Sequence, residues 1–188
     1  MQKHQLRAFL TDENLQAHLS HLNDLHLKYS IAKKSIPMLS GKTPREMYAM
    51  NLRNDVREEV LPLINSIICH KMYFSSFSSV PAPCKEIRQF YSSEAGFLYE
   101  VSELSRSVNY GFALIGRDRR QRPFISRYED FSQKLPSGAV LALDLCEHAY
   151  FLDYRFSKDK YLKYALGFLD IKSIFDEKKR KNYLDTVI

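Results

Sequence analysis

The 188-residue sequence predicts an α+β protein, with a helical first half and a mixed α/β second half. Three observations predict it. Leu15, His18, Leu19, Leu22, Leu25 and His26 recur at spacings of three and four, which is the apolar stripe of a helix. Residues 75–83 are rich in Ser and Pro and read as a break between the halves. Beyond that break, two strand-like runs flank a charged turn, and a third apolar run follows at 139–143.

The first helix opens at Thr11-Asp12-Glu13-Asn14, where a Thr cap and an acidic first turn suit the N-terminal end of the helix dipole. It is expected to run to about Ser35, before Pro37. His18, His21 and His26 stand out within it, although a lone His on an apolar stripe usually packs in a core. Ser40-Gly41-Lys42-Thr43-Pro44 carries only the Gly-Lys-Thr end of a phosphate-binding loop and is read as a plain loop. A second helix follows, with Arg57, Glu58 and Glu59 early, then Val60, Leu61, Leu63, Ile64, Ile67 and Ile68, leading to His70. Residues 84–107 predict one or two amphipathic helices with Phe90, Phe97, Leu98, Val101 and Leu104 facing inward. A hairpin is expected from 110–116 and 123–128 around the basic turn at 117–122, with 139–143 as third strand. Helices then run through 161–169 and the basic C-terminus, where Lys178-Lys179-Arg180-Lys181 reads as a solvated helix end.

Composition narrows the classes. Hydrophobic residues make up 45% and charged residues 27%, ordinary for a globular protein. No apolar run approaches the ~18 residues of a membrane span, and Met1-Gln2-Lys3-His4-Gln5 lacks the apolar core of a signal peptide. A cytoplasmic location and no membrane partner are expected. Cys69, Cys84 and Cys146 show no C-x-x-C spacing, so neither a disulfide framework nor a zinc knuckle is indicated. Cys69 and Cys146 sit in apolar company and are expected to pack. The net charge of +6 is dispersed, so no nucleic-acid partner is expected; a basic balance also steers small anions.

The most specific stretch is Asp144-Leu145-Cys146-Glu147-His148-Ala149-Tyr150-Phe151-Leu152-Asp153-Tyr154-Arg155. An Asp at a strand end and a His four residues later can converge on one point. A carboxylate oxygen with an imidazole nitrogen suits Zn, Mn or Fe. Alone, D-x-x-x-H also reads as a helix cap followed by a first-turn His. The whole string resembles the C-terminal signature of the iron/manganese superoxide dismutases, D-x-W-E-H-A-Y-Y-x-D-Y, with Cys146 for the Trp and Phe151 for the second Tyr. The run from Leu10 to His18 resembles the family's approach to its first metal His. Cys69-His70-Lys71-Met72-Tyr73-Phe74 resembles its N-H-x-x-[FY]-[WF] segment without the Asn, and 110–116 resembles its G-x-G-W-x-W-L strand, with Phe112 and Leu114 at the Trp positions.

This resemblance implies a helical hairpin over residues 1–80 and an α/β subdomain over 81–188 with a three-stranded antiparallel sheet, the metal site lying between them. It implies one Fe or Mn ion per chain on His18, His70, Asp144 and His148, and conversion of superoxide to oxygen and hydrogen peroxide. Glu147, Tyr150 and Arg155 are carried over as further site residues, and His26 stands where the family has a Tyr. A homodimer is implied, with Glu147 reaching the partner's His148. The family's second His is Leu22 here, and its cross-dimer partner Tyr is Phe151, so both members of that pair change together. The family's outer-sphere Gln has no evident counterpart; Ser66 holds its helical position, and Glu129 or Asp130 lies nearest its hairpin position. Two other readings use the same residues: a catalytically weak or inactive metal-binding or scaffolding relative, and a non-haem iron oxidase.

Overall fold

Thr11 accepts a hydrogen bond from the Asn14 amide at 3.3 Å, and helix α1 (Asp12–Ser35) begins there. The structure is a computed structural model that describes residues 5–176. Leu15, His18, Leu22 and Leu25 line the buried face of α1, as their spacing predicts; Tyr29 joins them, and Leu19 and His26 are half-buried. After the turn at Gly41, the short helix α2 (Pro44–Ala49) is closed by a capping box. The Glu46 amide donates to Thr43 Oγ1 at 3.2 Å, and the Thr43 amide donates to Glu46 Oε2 at 2.7 Å. Helix α3 (Asn54–Ser75) packs on α1 and buries Val60, Ile64, Ile67 and Ile68. Removing this apolar surface from water supplies the main drive for the pairing.

The Ser- and Pro-rich segment after α3 is stitched to the second half. Ser76 is fully buried, and its Oγ accepts from the Ala142 amide at 2.8 Å and donates to the Met72 carbonyl at 2.7 Å. Phe77 is buried beside it and bridges to Leu169. A short 3-10 turn (Glu86–Gln89) precedes helix α4 (Glu94–Arg106), which Ser93 caps by accepting from the Gly96 amide at 3.0 Å. Phe97 and Val101 face inward, but Phe90 is 43% exposed, against expectation. The 3-10 turn breaks the 3.6-residue period there, and Ile87 takes the buried place instead.

The sheet contains β1 (Phe112–Arg117), β2 (Pro123–Tyr128) and β3 (Ala139–Asp144), ordered β2-β1-β3 and antiparallel throughout. Asp118 closes the basic turn by accepting from the amides of Arg120 and Arg122. Gly111 enters β1 at φ +102°, and a Cβ there would lie 2.3 Å from the Tyr128 carbonyl oxygen, so the position requires glycine. Register sets Phe112 opposite Asp144, bringing an aromatic ring to the end of β3.

The chain leaves β3 through a 3-10 turn (Glu147–Ala149), then α5 (Phe151–Tyr154) and α6 (Lys158–Gly167). Asp153 reaches back to the start of α1, accepting from the Thr11 amide at 2.9 Å and from Asn14 Nδ2 at 3.0 Å. The expected helix end at Lys178-Lys179-Arg180-Lys181 lies outside the described residues. Among the described residues, no helix is long and apolar enough to cross a membrane.

Candidate metal centre

His18, His70, Asp144 and His148 come from α1, α3, the end of β3 and the turn after it, and their candidate ligand atoms all lie within 4.8 Å of one another. Asp144 is the hub. Its Oδ1 accepts from the Cys146 amide at 3.0 Å, which leaves Oδ2 to face the imidazoles. Oδ2 lies 3.1 Å from His18 Nε2, 3.0 Å from His148 Nε2 and 3.4 Å from His70 Nε2. The carboxylate's own backbone is held as well, because Tyr161 donates its hydroxyl hydrogen to the Asp144 carbonyl at 2.9 Å.

The His70 tautomer is decided by its neighbour on α3. Nδ1 donates to the Ser66 carbonyl at 2.7 Å, so the Nε2 of a neutral ring carries a lone pair. That lone pair meets a carboxylate oxygen at 3.4 Å and another imidazole nitrogen, His148 Nε2, at 3.3 Å. Lone pairs crowded so closely are relieved by a shared cation, either a proton on an imidazole or a metal ion among them. Three nitrogens and one oxygen, drawn from four elements and converging on one point, fit a mononuclear transition-metal ion.

The electrostatics keep His18, His70 and Asp144 ready to ligate, whereas His148 must give up a proton to do so. Burial pushes the His18 imidazole below its usual pKa, and burial takes His70 down to about 3. Both are therefore neutral near pH 7, as ligation requires. Burial alone would raise the Asp144 carboxyl, but the three surrounding imidazoles outweigh it and hold the group well below its ordinary range. Burial lowers His148, and the adjacent Asp144 carboxylate overcomes that and raises it. Tyr73 and Phe74 stand 4.9 Å from the His18 ring, and Phe112 meets His70 edge-on at 5.2 Å. On that side the wall is apolar. The open side is at His148, whose side chain is 33% exposed.

His21 covers that opening. Its half-buried ring lies 4.3 Å from His148 and 5.2 Å from His70. In the sequence His21 stands out only as one of three histidines on α1, and the family resemblance gives it no role. The usable signal was its spacing of three from His18, since residues three apart are neighbours on a helix surface. His26 sits elsewhere on α1, half-buried, with Lys71 as the charge that acts on it. Among the described residues, no hydrogen bond or ring contact joins His26 to the ligand cluster.

The remaining candidates are spread around this centre. Glu147 is exposed next to His148. Tyr150 is buried and stacks on Tyr161 at 4.9 Å. Arg155 is exposed at φ +52°, with its guanidinium 5.7 Å from the Phe151 ring. Of the positions considered for the missing outer-sphere amide, Ser66 contributes its carbonyl to His70, while Glu129 and Asp130 are exposed. The Asp130 carboxylate is engaged by Ser132 and Gln133. Cys69 and Cys146 are buried free thiols, each pushed up by burial, which suits packing and not nucleophilic attack.

The sequence profile described as iron/manganese superoxide dismutases, C-terminal domain, matches residues 82–177, about half of the chain. No curated protein matches the chain.

Proposed function

The chain belongs to the iron/manganese superoxide dismutase family, and from that premise we propose that it converts superoxide to oxygen and hydrogen peroxide. In this reading one Fe or Mn ion is held by His18, His70, Asp144 and His148. The observation that carries it is the convergence of three imidazole nitrogens on one buried carboxylate oxygen, in a pocket walled by aromatic rings. When bound, the metal supplies a one-electron acceptor and donor, so that two superoxide ions and two protons leave as oxygen and hydrogen peroxide.

The chain's own residues do the rest. His70 is aimed by the Ser66 carbonyl, and Asp144 is aimed by the Cys146 amide and the Tyr161 hydroxyl. Such outer contacts set ligand orientation and basicity, and with them the potential of the ion. Tyr73, Phe74 and Phe112 keep bulk water off the buried ligands. Superoxide approaches past His21 to the exposed side of His148, drawn by the net positive charge. His26 is assigned as a proton donor to this approach. A homodimer is supported by Glu147 standing exposed beside His148, and by Phe156, which is 83% exposed next to Phe151.

The test is elemental analysis with a superoxide-decay assay, on wild type and His148→Ala. Wild type should hold one Fe or Mn per chain and speed the decay; the variant should lose stoichiometric metal. Full occupancy in the variant would overturn the ligand set. A fully loaded wild type with no effect on superoxide would overturn the enzymatic reading.

A further inference from the structure

We propose that Asn14 is a positioning residue for His18, receiving its Nδ1 proton through one buried water and passing the constraint on to Asp153. The proposal rests on the metal reading above. A His that ligates through Nε2 carries its remaining proton on Nδ1, and that N–H needs an acceptor. For His70 the acceptor is the Ser66 carbonyl, one turn earlier on the same helix. His18 is fully buried, and its Nδ1 has no hydrogen-bond partner among the described residues.

The residue one turn before His18 is Asn14, also fully buried, and among the described residues its Oδ1 has no partner either. Residues four apart on a helix lie over the same patch of surface, so a lone donor and a lone acceptor share one face of α1. The amide orientation is fixed by chemistry. Asp153 Oδ2 can only accept, and it takes a hydrogen from Asn14 Nδ2 at 3.0 Å, so Oδ1 must be the atom left over. Asp153 is itself held by the Thr11 amide at 2.9 Å and by the Thr11 hydroxyl. No direct hydrogen bond joins Oδ1 to Nδ1 in this geometry. Two complementary buried polar atoms left in this way are what an internal water satisfies. The stretch 144–155 then serves the site twice. Asp144 and His148 bind the ion, and Asp153, through Asn14, orients the ligand that α1 supplies.

Zinc is a diamagnetic probe of this link. Wild type, Asn14→Leu and Asn14→Asp, labelled with ¹⁵N-histidine, are loaded with Zn²⁺; the Nδ1–H resonances are recorded, and release to a chelator is timed. In wild type, both His18 and His70 should show slowly exchanging, downfield Nδ1–H signals. In Asn14→Leu the His18 signal should move upfield and exchange faster, the His70 signal should stay, and release should speed up about 10- to 100-fold. Asn14→Asp keeps an acceptor but loses the Nδ2 donor to Asp153 Oδ2 and sets two carboxylates together, so its orientation is lost: the His18 signal should shift and release should speed up, by less than in Asn14→Leu. An unchanged His18 signal and release rate in either variant overturns the proposal, so a failure of Asn14→Leu to fold does not protect it. Wild type that takes up no zinc overturns the metal reading and the proposal together. Zinc in wild type with no response to Asn14 overturns the proposal alone.

Discussion

At the scale of single residues, the three histidines of α1 divide the work by position. His21 lies tilted against His148 at 4.3 Å, and a ring pair of this kind contributes about 0.5–1.5 kcal/mol. His21→Ala should therefore release metal to a chelator roughly 2- to 10-fold faster than wild type, while His21→Phe, which keeps a ring, should stay near the wild-type rate. Equal release from His21→Ala and wild type would remove its covering role. His26 differs. Burial first, and then Lys71 from α3, lower its pKa below the ordinary 6.5, so it is neutral at pH 7. If it donates protons, catalysis per bound metal should rise as pH falls from about 6.5 toward 5.5, and His26→Tyr should be flat there. Coincident profiles would take His26 out of the proton path.

At the scale of elements, α3 is tied to the loop after β2 by a buried amide. Asn65 Nδ2 donates to the Phe131 and Gln133 carbonyls at 2.8 Å each, its Oδ1 accepts from the Tyr48 hydroxyl, and the Leu135 amide donates to the same hydroxyl at 3.1 Å. Tyr48→Phe leaves two buried polar groups without that hydroxyl and should cost about 1–3 kcal/mol, measurable by denaturant unfolding. The same hydroxyl makes stability depend on alkali. Burial pushes Tyr48 up to about 12, so the folded state holds a proton that the unfolded chain gives up near 10. Its contribution is full below pH 10 and is lost as pH rises toward 12. Tyr48→Phe should show a shallower loss over that range; an identical pH dependence would mean that other groups govern it.

At the scale of the whole molecule, Leu152 and Phe156 expose apolar surface on the segment that carries His148, and Phe151 meets Phe156 on one side and the Arg155 guanidinium on the other at 5.3 Å and 5.7 Å. A dimer formed there should sediment as two chains at micromolar concentration, and Phe156→Glu should shift it toward monomer. A wild-type monomer at that concentration would count against the assembly. The dispersed charge of +6 makes a separate prediction. If it steers superoxide, kcat/KM should fall as ionic strength rises from 0.01 to 0.15 M, because the Debye length shrinks from about 30 Å to 8 Å. A rate indifferent to salt would show that the surface field does not contribute.

Much of this was legible in one dimension, because helix caps, apolar periods and strand runs are local. Thr11 opens α1, the predicted strands form a sheet, and the spacing of Asp144 and His148 alone brings two ligands to one turn. Phe90 was misjudged because a 3-10 turn changes the period without a strong sequence signal. Choosing among the histidines of α1 needed the third dimension. His21 lies only about 4.5 Å along the axis from His18, whereas His26 lies about 12 Å away, at 1.5 Å per residue. Which of them meets His70 and His148 depends on where α1 crosses α3 and on where β3 ends, and no local pattern encodes that crossing. The same is true of Asn14. By sequence it is a first-turn residue of a capped helix; only Asp153, 139 positions away, turns its amide and leaves its oxygen for His18.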